Sequence, residues 1–231
     1  QDGIINKLRS NLPDCPFPIR YTSLTAFNAR YRQGRITATG SLVYTNVTEH
    51  VKIGDAPADF QRLAPSFTVS LQPWQEQLLF LRLMYKSTFR MPTFNDLYYY
   101  RLGNRSLRPE KANEYNMGIT WSRSFSSFLN YLSVTVDGYY NDVTDKIVAF
   151  PTTYAWKMAN YGKVHVTGMD ATLAAAASLG KNMVLVVSGG YTWQKAIDLT
   201  DATSKSYKDQ LPYTPKHSGN VSAVLEMPWG D

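Results

Sequence analysis

Apolar and polar residues alternate with a period of two along most of the chain, which is typical of β-strands whose two faces meet different surroundings. In the segment 78–89, one parity carries Leu79, Leu81, Leu83, Tyr85 and Phe89, and the other carries Arg82, Lys86 and Thr88. The same alternation recurs in 36–46, 67–72, 132–141 and 169–177. The pattern predicts about nine strands, many near the roughly 9 to 11 residues that a tilted strand needs to cross a bilayer.

Short and long connections between these strands alternate. Tight connections fall at 32–34, 73–76, 123–127 and 180–182, and longer polar or aromatic ones at about 48–60, 90–111, 145–163 and 195–215. A meander with hairpin turns on one rim and loops on the other has this asymmetry, which transmembrane barrels share. We therefore predict an all-β fold, an antiparallel up-and-down meander.

A soluble β-sandwich also alternates inward and outward residues, so it remains an alternative. Long loops at every second connection favour the membrane barrel. Aromatic residues near the predicted strand ends favour it as well, because aromatic belts mark the lipid boundary. These residues are Tyr44, Trp74, Tyr85, Trp121, Tyr140, Trp193 and Trp229.

The composition excludes several classes of protein. The chain has 231 residues, a formal charge of +6 and 13% aromatic residues, and this composition argues against disorder. Its apolar stretches fall well short of the ~20 residues of a membrane-spanning helix. The single cysteine, Cys15, cannot form an internal disulfide and has no neighbouring ligand for a metal. Basic residues are spread along the chain without a recognition motif, so nucleic-acid binding is not expected.

Proline, asparagine and glycine predict a shaped loop after the strand that ends near residue 90. Pro92 cannot donate to a ladder and ends that strand. Asn95-Asp96 favours a local turn, and Gly103-Asn104 tolerates positive φ. Gly118 and Gly168 lie inside strands, where glycine marks a bulge or a place that a large group must occupy.

The segment Phe89 to Gly118 resembles the mid-to-late barrel of TonB-dependent outer-membrane receptors. The residues that carry the resemblance are Arg90, Pro92, Asn95, Asp96, Leu97, Tyr98, Gly103, Asn104, Leu107, Pro109, Glu110, Tyr115 and Gly118. Three further segments match in the order that the family places them. They are Tyr140-Asn141 with Asp145 and Ile147, Asn160 with Val166 to Asp170, and Leu211 to His217. Asn116 departs from the family, in which glutamate is common at this place.

The resemblance implies part of a transmembrane barrel of about 22 strands. We expect residues 1–19 to be an irregular lead-in or loop, and residues 20–231 to be a partial barrel domain. The family's plug and final strands are missing, which suggests a fragment. The implied function is energy-coupled import of an iron–siderophore, haem, a cobalamin or an oligosaccharide across the outer membrane of a Gram-negative bacterium. The implied partners are outer-membrane lipid, the nutrient ligand and the TonB energy-transducing complex, which would act through the absent plug region.

Aromatic loop residues are the best candidates for ligand contact, because they offer flat area with a polar tip. They are Tyr98, Tyr99 and Tyr100, which are followed by Arg101 as a further candidate, and Tyr154 and Trp156. Loop-core packing or contact with lipid headgroups would also explain them. Arg82, Lys86 and Arg90 share one parity and could steer an anionic ligand, although lumen walls are generally polar.

The histidines and paired acids do not predict catalysis. His50, His165 and His217 have no close spacing to one another or to a Ser/Asp pair. We therefore expect no enzyme, no cofactor and no metal site. The alternatives are a secreted or surface all-β module that binds carbohydrate, and an outer-membrane barrel enzyme in which His165 or His217 would act.

Overall fold

The part of the chain that the structure describes forms one antiparallel sheet of nine strands that follow one another in sequence order. The computed structural model describes residues 16–74, 78–100, 102–126, 128–151, 156–180, 183–200, 202–203, 207–211 and 214–227. The strands are β1 Ile19–Gln33, β2 Ile36–His50, β3 Phe60–Leu71, β4 Leu78–Arg90, β5 Glu110–Ser124, β6 Leu129–Pro151, β7 Trp156–Gly180, β8 Met183–Asp198 and β9 His217–Glu226. A short helix, α1 (Phe94–Tyr98), follows β4. The predicted all-β meander is confirmed, and the sandwich alternative is not supported, since all nine strands belong to one sheet.

The cross-strand register sorts the side chains into two faces, because successive side chains point to opposite sides of a sheet. One row, from β3 to β8, contains Ser70, Arg82, Gly118, Asp137, Asp170 and Thr192. The next row, one residue along, contains Leu71, Leu81, Ile119, Val136, Ala171 and Tyr191. We call these the polar face and the apolar face. The parities are those that the sequence predicts.

The buried residues do not lie beneath the sheet. On the apolar face Leu81 is 38% exposed, Leu173 45% and Met117 67%. The buried hydrophobic residues lie instead towards the rim that carries the links 51–59, 91–109, 152–155 and 199–216, here the loop rim. They are Val47, Leu97, Leu107, Val143, Ile147, Val164 and Ala196. The opposite rim, which carries the links 34–35, 72–77, 125–128 and 181–182, is the turn rim.

One predicted loop is largely strand. Residues 145–163 were expected as a long link, but β6 continues to Pro151 and β7 begins at Trp156, and the two remain paired over this extension. The polar residues that suggested a loop surround Asp145, whose φ of 56° is a local irregularity rather than a strand end. The β-branched Ile147 and Val148 then continue the ladder, as their preference for strands favours.

The glycine prediction is confirmed. At Gly168 an added Cβ would collide with the Tyr139 ring, and at Gly118 it would collide with the Asp137 carboxylate. Both glycines therefore make room for a large group on the polar face. The proposed boundary between residues 1–19 and 20–231 stays a prediction, because residues 1–15 lie outside the described part of the chain.

Candidate ligand-binding rim

The segment 91–109 is folded by its own side chains. Thr93 caps α1: its hydroxyl accepts a hydrogen bond from the Asp96 N–H at 3.2 Å, and the Asp96 carboxylate accepts one from the Thr93 N–H at 2.9 Å. This reciprocal pair is a capping box. The turn predicted at Asn95-Asp96 is therefore a short helix. Gly103 passes so close to α1 that an added Cβ would lie 2.7 Å from the Leu97 carbonyl oxygen.

A small apolar cluster joins this segment to β6 and β7. Leu97, Leu107 and Ile147 are each 6% exposed or less, and Tyr98 and Met158 pack against them. The Met158 N–H donates to the Leu102 carbonyl at 2.9 Å, which extends the contact to the backbone. The loop and the β6–β7 extension thus share one core.

Polar side chains also hold the segment 91–109 against β6 and β7. The Arg108 guanidinium forms an ion pair with Asp145 at 2.5 Å. The backbone N–H of Arg108 donates to Asn160 Oδ1 at 2.8 Å. Asn160 Nδ2 donates in turn to the carbonyl oxygens of Arg108 and Asp145, each at 2.8 Å. Asn160 and Asp145 therefore hold the loop against the hairpin.

A second set of contacts fastens the loop to β1 and β2. Arg20 lies 2.7 Å from the Glu49 carboxylate and donates to the Pro92 carbonyl at 2.8 Å. The Tyr98 hydroxyl donates to Glu49 as well. Burial, together with this hydrogen bond, raises the pKa of Tyr98 above its usual range. The Arg105 guanidinium lies 5.3 Å from the centre of the Tyr98 ring.

A cavity of about 370 Å³ lies between these two sets of contacts. Its lining includes Arg20, Glu49, Leu97, Leu107, Arg108 and Asp145. The lining carries both signs of charge and an apolar floor, which is a suitable surface for a polar group of modest size.

The predicted aromatic residues gather on the loop rim. Tyr99, Tyr100 and Trp156 are exposed by 56%, 45% and 58%, and Trp156 lies two residues before Met158, which is bonded to the loop. Tyr98 differs, because it is half-buried and its hydroxyl is bound to Glu49. Arg101 and Tyr154 lie outside the described residues. Ligand contact by this group stays a prediction.

Acidic residues neutralise two of the three cations predicted to form a positive line. Arg82 pairs with Asp137 at 2.9 Å, and Arg90 pairs with Glu110 at 3.1 Å and Asp96 at 3.6 Å. Lys86 is exposed and has no ion-pair partner among the described residues. A steering role for these three residues stays a prediction.

Sequence reasoning missed the Arg20–Glu49–Tyr98 contacts and the Arg108–Asp145–Asn160 contacts. Glu49 shares its parity with the polar residues of β2, but only the register with β1 places it opposite Arg20. The other set depends on the extension of β6 and β7 beyond residue 145, where a loop was expected.

The histidines lie apart on the apolar face. His165 contacts the Tyr140 hydroxyl at 3.0 Å and Asp142 at 3.2 Å, whereas His217 contacts Tyr191 at 2.7 Å. Within the described residues, no group of three or more His, Cys, Asp or Glu side chains could hold a metal ion. No helix in that part of the chain is long and apolar enough to cross a membrane.

An aromatic row crosses the apolar face below the loop rim. The ring centres of Tyr85 and Tyr115 lie 5.1 Å apart, and those of Tyr115 and Tyr140 lie 6.2 Å apart. The sequence predicted two of its members, Tyr85 and Tyr140. Such a girdle is expected where a barrel wall leaves the hydrocarbon of a bilayer. The predicted belt residue Trp229 lies outside the described residues.

Two known transporters are similar in sequence to parts of this chain. The vitamin B12 transporter BtuB of Vibrio vulnificus (strain YJ016) is 32% identical over 84 residues, which cover 36% of this chain and 13% of the relative. The vitamin B12 transporter BtuB of Photobacterium profundum is 26% identical over 147 residues, or 60% of this chain and 21% of the relative. The chain thus spans about a fifth or less of the length of these relatives.

Solved structures share the fold. The FrpB iron transporter of Neisseria meningitidis matches with a TM-score of 0.59 and 17% identity, over 90% of this chain and 30% of that one. The FpvAI–pyocin S2 complex matches with a TM-score of 0.56 and 13% identity, over 89% of this chain and 26% of the other.

A family model described as TonB dependent receptor-like, beta-barrel matches residues 8–230. Receptors of this family are outer-membrane proteins of Gram-negative bacteria, which places the apolar face against lipid and the polar face towards the lumen. The chain belongs to the barrel domain of the TonB-dependent receptors.

Proposed function

We propose that this chain supplies part of the wall and loop rim of a receptor that imports a scarce nutrient across the outer membrane. The match to the family's barrel over residues 8–230 carries the proposal. The two faces of the sheet fit it, because a transport wall needs lipid on one side and water on the other. The proposed function includes no covalent chemistry.

The substrate classes that we propose are an iron–siderophore complex, haem, a cobalamin and an oligosaccharide. The similar proteins named above include transporters of vitamin B12 and of iron. In this proposal Tyr99, Tyr100 and Trp156 contact the ligand, because they are exposed on the loop rim. The proposed contact group also includes Arg101 and Tyr154, and it includes Lys86, a cation of the lumen wall that lies opposite Glu114 in the register.

The proposal also concerns the whole receptor. We propose a barrel of about 22 strands, of which residues 20–231 form nine and residues 1–19 form a lead-in. A TonB-type complex would supply energy through the plug region of the whole receptor. Lipid surrounds the wall, and nucleic acid has no part in this function.

Growth and uptake assays test the proposal. A strain that lacks the receptor is supplied in turn with each nutrient class as the limiting source, and its growth is compared with that of the complemented strain. We expect one class to require both the receptor and an intact TonB complex. Equal uptake of every class without the receptor, or uptake that does not depend on the TonB complex, would contradict the proposal.

A matched pair of tryptophan variants tests whether the loop rim contacts the ligand. Trp156→Ala removes an aromatic side chain that is 58% exposed on the loop rim, and Trp74→Ala removes one that is 56% exposed near the turn rim. Removal of an aromatic residue that is a binding hot spot weakens binding by about tenfold or more. We expect this loss for Trp156→Ala, with no change for Trp74→Ala. Equal binding by both variants would exclude Trp156 from the site without affecting the transport proposal.

A further inference from the structure

The hairpin that β6 and β7 form extends beyond the neighbouring strand β8. β8 pairs with β7 only from Val164 onwards, whereas β6 pairs with β7 from Trp156. β8 therefore leaves one edge of β7 uncovered over residues 156–162. The N–H and C=O groups along a strand edge need other partners.

Residues 102–108 of the segment 91–109 supply such partners. The Met158 N–H donates to the Leu102 carbonyl at 2.9 Å, and Asn104 Nδ2 donates to the Met158 carbonyl at 3.0 Å. Asn160 Oδ1 accepts from the Arg108 N–H, and Asn160 Nδ2 donates to the Arg108 carbonyl, each at 2.8 Å. Both backbone groups of Met158 and both of Arg108 are thus bonded between the segment and the hairpin.

The amide chemistry of Asn104 and Asn160 matters, because each side chain donates and accepts at the same time. Asn104 Oδ1 accepts from the Ser106 N–H at 2.9 Å, while its Nδ2 donates to the hairpin. Asn160 Nδ2 also donates to the Asp145 carbonyl at 2.8 Å. An ionised aspartate would keep the bonds in which the side chain accepts and lose those in which it donates. We call Asn104 and Asn160 the amide clamp.

The amide clamp lies next to exposed aromatic residues of the segment and of the hairpin. Trp156 shares its face of β7 with Met158, because the side chains of a strand alternate. The Tyr99 carbonyl accepts from the Leu102 N–H at 3.2 Å, and the Leu102 carbonyl accepts from Met158. Two consecutive hydrogen bonds therefore link the backbone at Tyr99 to the strand that carries Trp156. Both aromatic residues are more than half exposed, so their relative position depends chiefly on the backbone contacts beneath them.

We propose that Asn104 and Asn160 are positioning residues of the loop rim. They fix Trp156 relative to Tyr99 and Tyr100, so that aromatic residues from two separate parts of the chain form one contact surface. Neither asparagine touches the nutrient. The clamp raises affinity by preorganisation, because aromatic residues that are already in place need no ordering when the nutrient binds. This inference rests on the proposed function, in which these aromatic residues contact the nutrient.

Binding by the intact receptor in detergent tests the proposal. The probes are ferrichrome, haemin, cyanocobalamin and maltotriose, one for each proposed substrate class, and the variants are compared with the probe that the wild type binds. We expect N104D/N160D to weaken binding of that probe by about tenfold, as Trp156→Ala does. Asn130→Asp is the matched control, because Asn130 Nδ2 donates to Ser178 Oγ at 2.8 Å near the turn rim. Wild-type affinity in N104D/N160D, or an equal loss in Asn130→Asp, would overturn the proposal.

A double-mutant cycle separates positioning from a general structural effect. Because the clamp acts through Trp156, N104D/N160D/W156A should bind the probe no more weakly than Trp156→Ala alone. Independent effects would multiply to a loss of about a hundredfold, and such a loss would overturn the proposal. N104D alone removes one bond to the hairpin and keeps the bond to Ser106. It repeats the cycle with less risk to folding and an expected loss of about fivefold.

The distance between the two parts of the rim gives a readout that needs no ligand. Spin labels at the exposed residues Ser106 and Lys157 report on the contact between the segment and the hairpin. We expect a narrow distance distribution in the wild type and a broader one in N104D/N160D. An equally narrow distribution in that variant would overturn the proposal. A wild type that binds none of the four probes would contradict the proposed function, and the label distances would still decide whether the clamp fixes the hairpin to the segment.

Discussion

The loop rim and the barrel wall are stabilised in different ways. At the rim, Leu97 and Ile147 are nearly inaccessible to solvent, and they pack as they would in a soluble domain. In the wall, Leu81 and Met117 remain exposed, and neighbouring strands are joined by the backbone ladder. The comparison shows that the wall relies on lipid to cover its apolar face, whereas the rim must carry its own core because water surrounds it.

Of the variants considered, Leu97→Ala should cause the largest loss of local stability, because it removes a core residue of the loop rim. Removing a fully buried leucine leaves a cavity and costs about 2–5 kcal/mol. Because the cluster is small, we expect the segment 91–109 to detach while the strands persist. Hydrogen exchange should rise in this segment alone. Leu81→Ala, on the exposed apolar face, is the control, and an equal rise in that variant would contradict the assignment of the core to the rim.

Leu81→Arg tests the wall. A charge on the lipid-facing surface near the middle of a barrel costs about 2–4 kcal/mol, because the guanidinium must leave water. The measurement is urea-dependent unfolding of the intact receptor in phospholipid vesicles. Leu63→Arg, at a 54% exposed apolar-face residue closer to the loop rim, should cost less. If Leu81→Arg is as stable as the wild type, residue 81 does not face hydrocarbon.

Gly168→Ala and Gly138→Ala compare a crowded glycine position of the wall with an open one. At Gly168 an added Cβ would lie 2.7 Å from the Trp193 carbonyl oxygen and would collide with the Tyr139 ring, so the ring must move. We expect a loss of about 1–3 kcal/mol in the free energy of unfolding, which is typical of overpacking. Gly138→Ala has open space and should be nearly neutral. Equal stability of the two variants would show that the Tyr139 ring does not depend on Gly168.

The wall could be predicted from sequence more fully than the rim. A strict period of two fixes the face of Leu81 or Arg82, and a glycine inside a strand already indicates that a large neighbour must fit. Contacts at the rim join residues far apart in sequence, such as Glu49 and Tyr98. No local pattern determines these pairs. The extension of β6 and β7 was missed for a related reason, because polar residues around Asp145 resemble a loop until their partners across the hairpin are known.

Tyr98→Phe should cause the smallest loss of stability, and it tests the contribution of a single hydroxyl group to the loop rim. It keeps the ring in the rim core but removes the hydrogen bond to Glu49. A hydrogen bond to a charged acceptor contributes about 1.5–3 kcal/mol, and the upper part of this range is not expected because Arg20 still pairs with Glu49. We expect about 1.5 kcal/mol of local stability to be lost, seen as faster hydrogen exchange in 91–109.

The pH dependence of the same contact gives a second readout. The pKa of Tyr98 is raised in the folded protein, above the value of about 10 of a free tyrosine. Its contribution to stability is therefore fully present below about pH 10 and is lost as the pH rises from there through the folded pKa. Wild-type exchange in 91–109 should accelerate above pH 10 beyond the intrinsic increase, whereas Tyr98→Phe should follow the intrinsic rate alone. Identical pH profiles for the two proteins would show that the Tyr98 hydroxyl does not fasten the loop to β2.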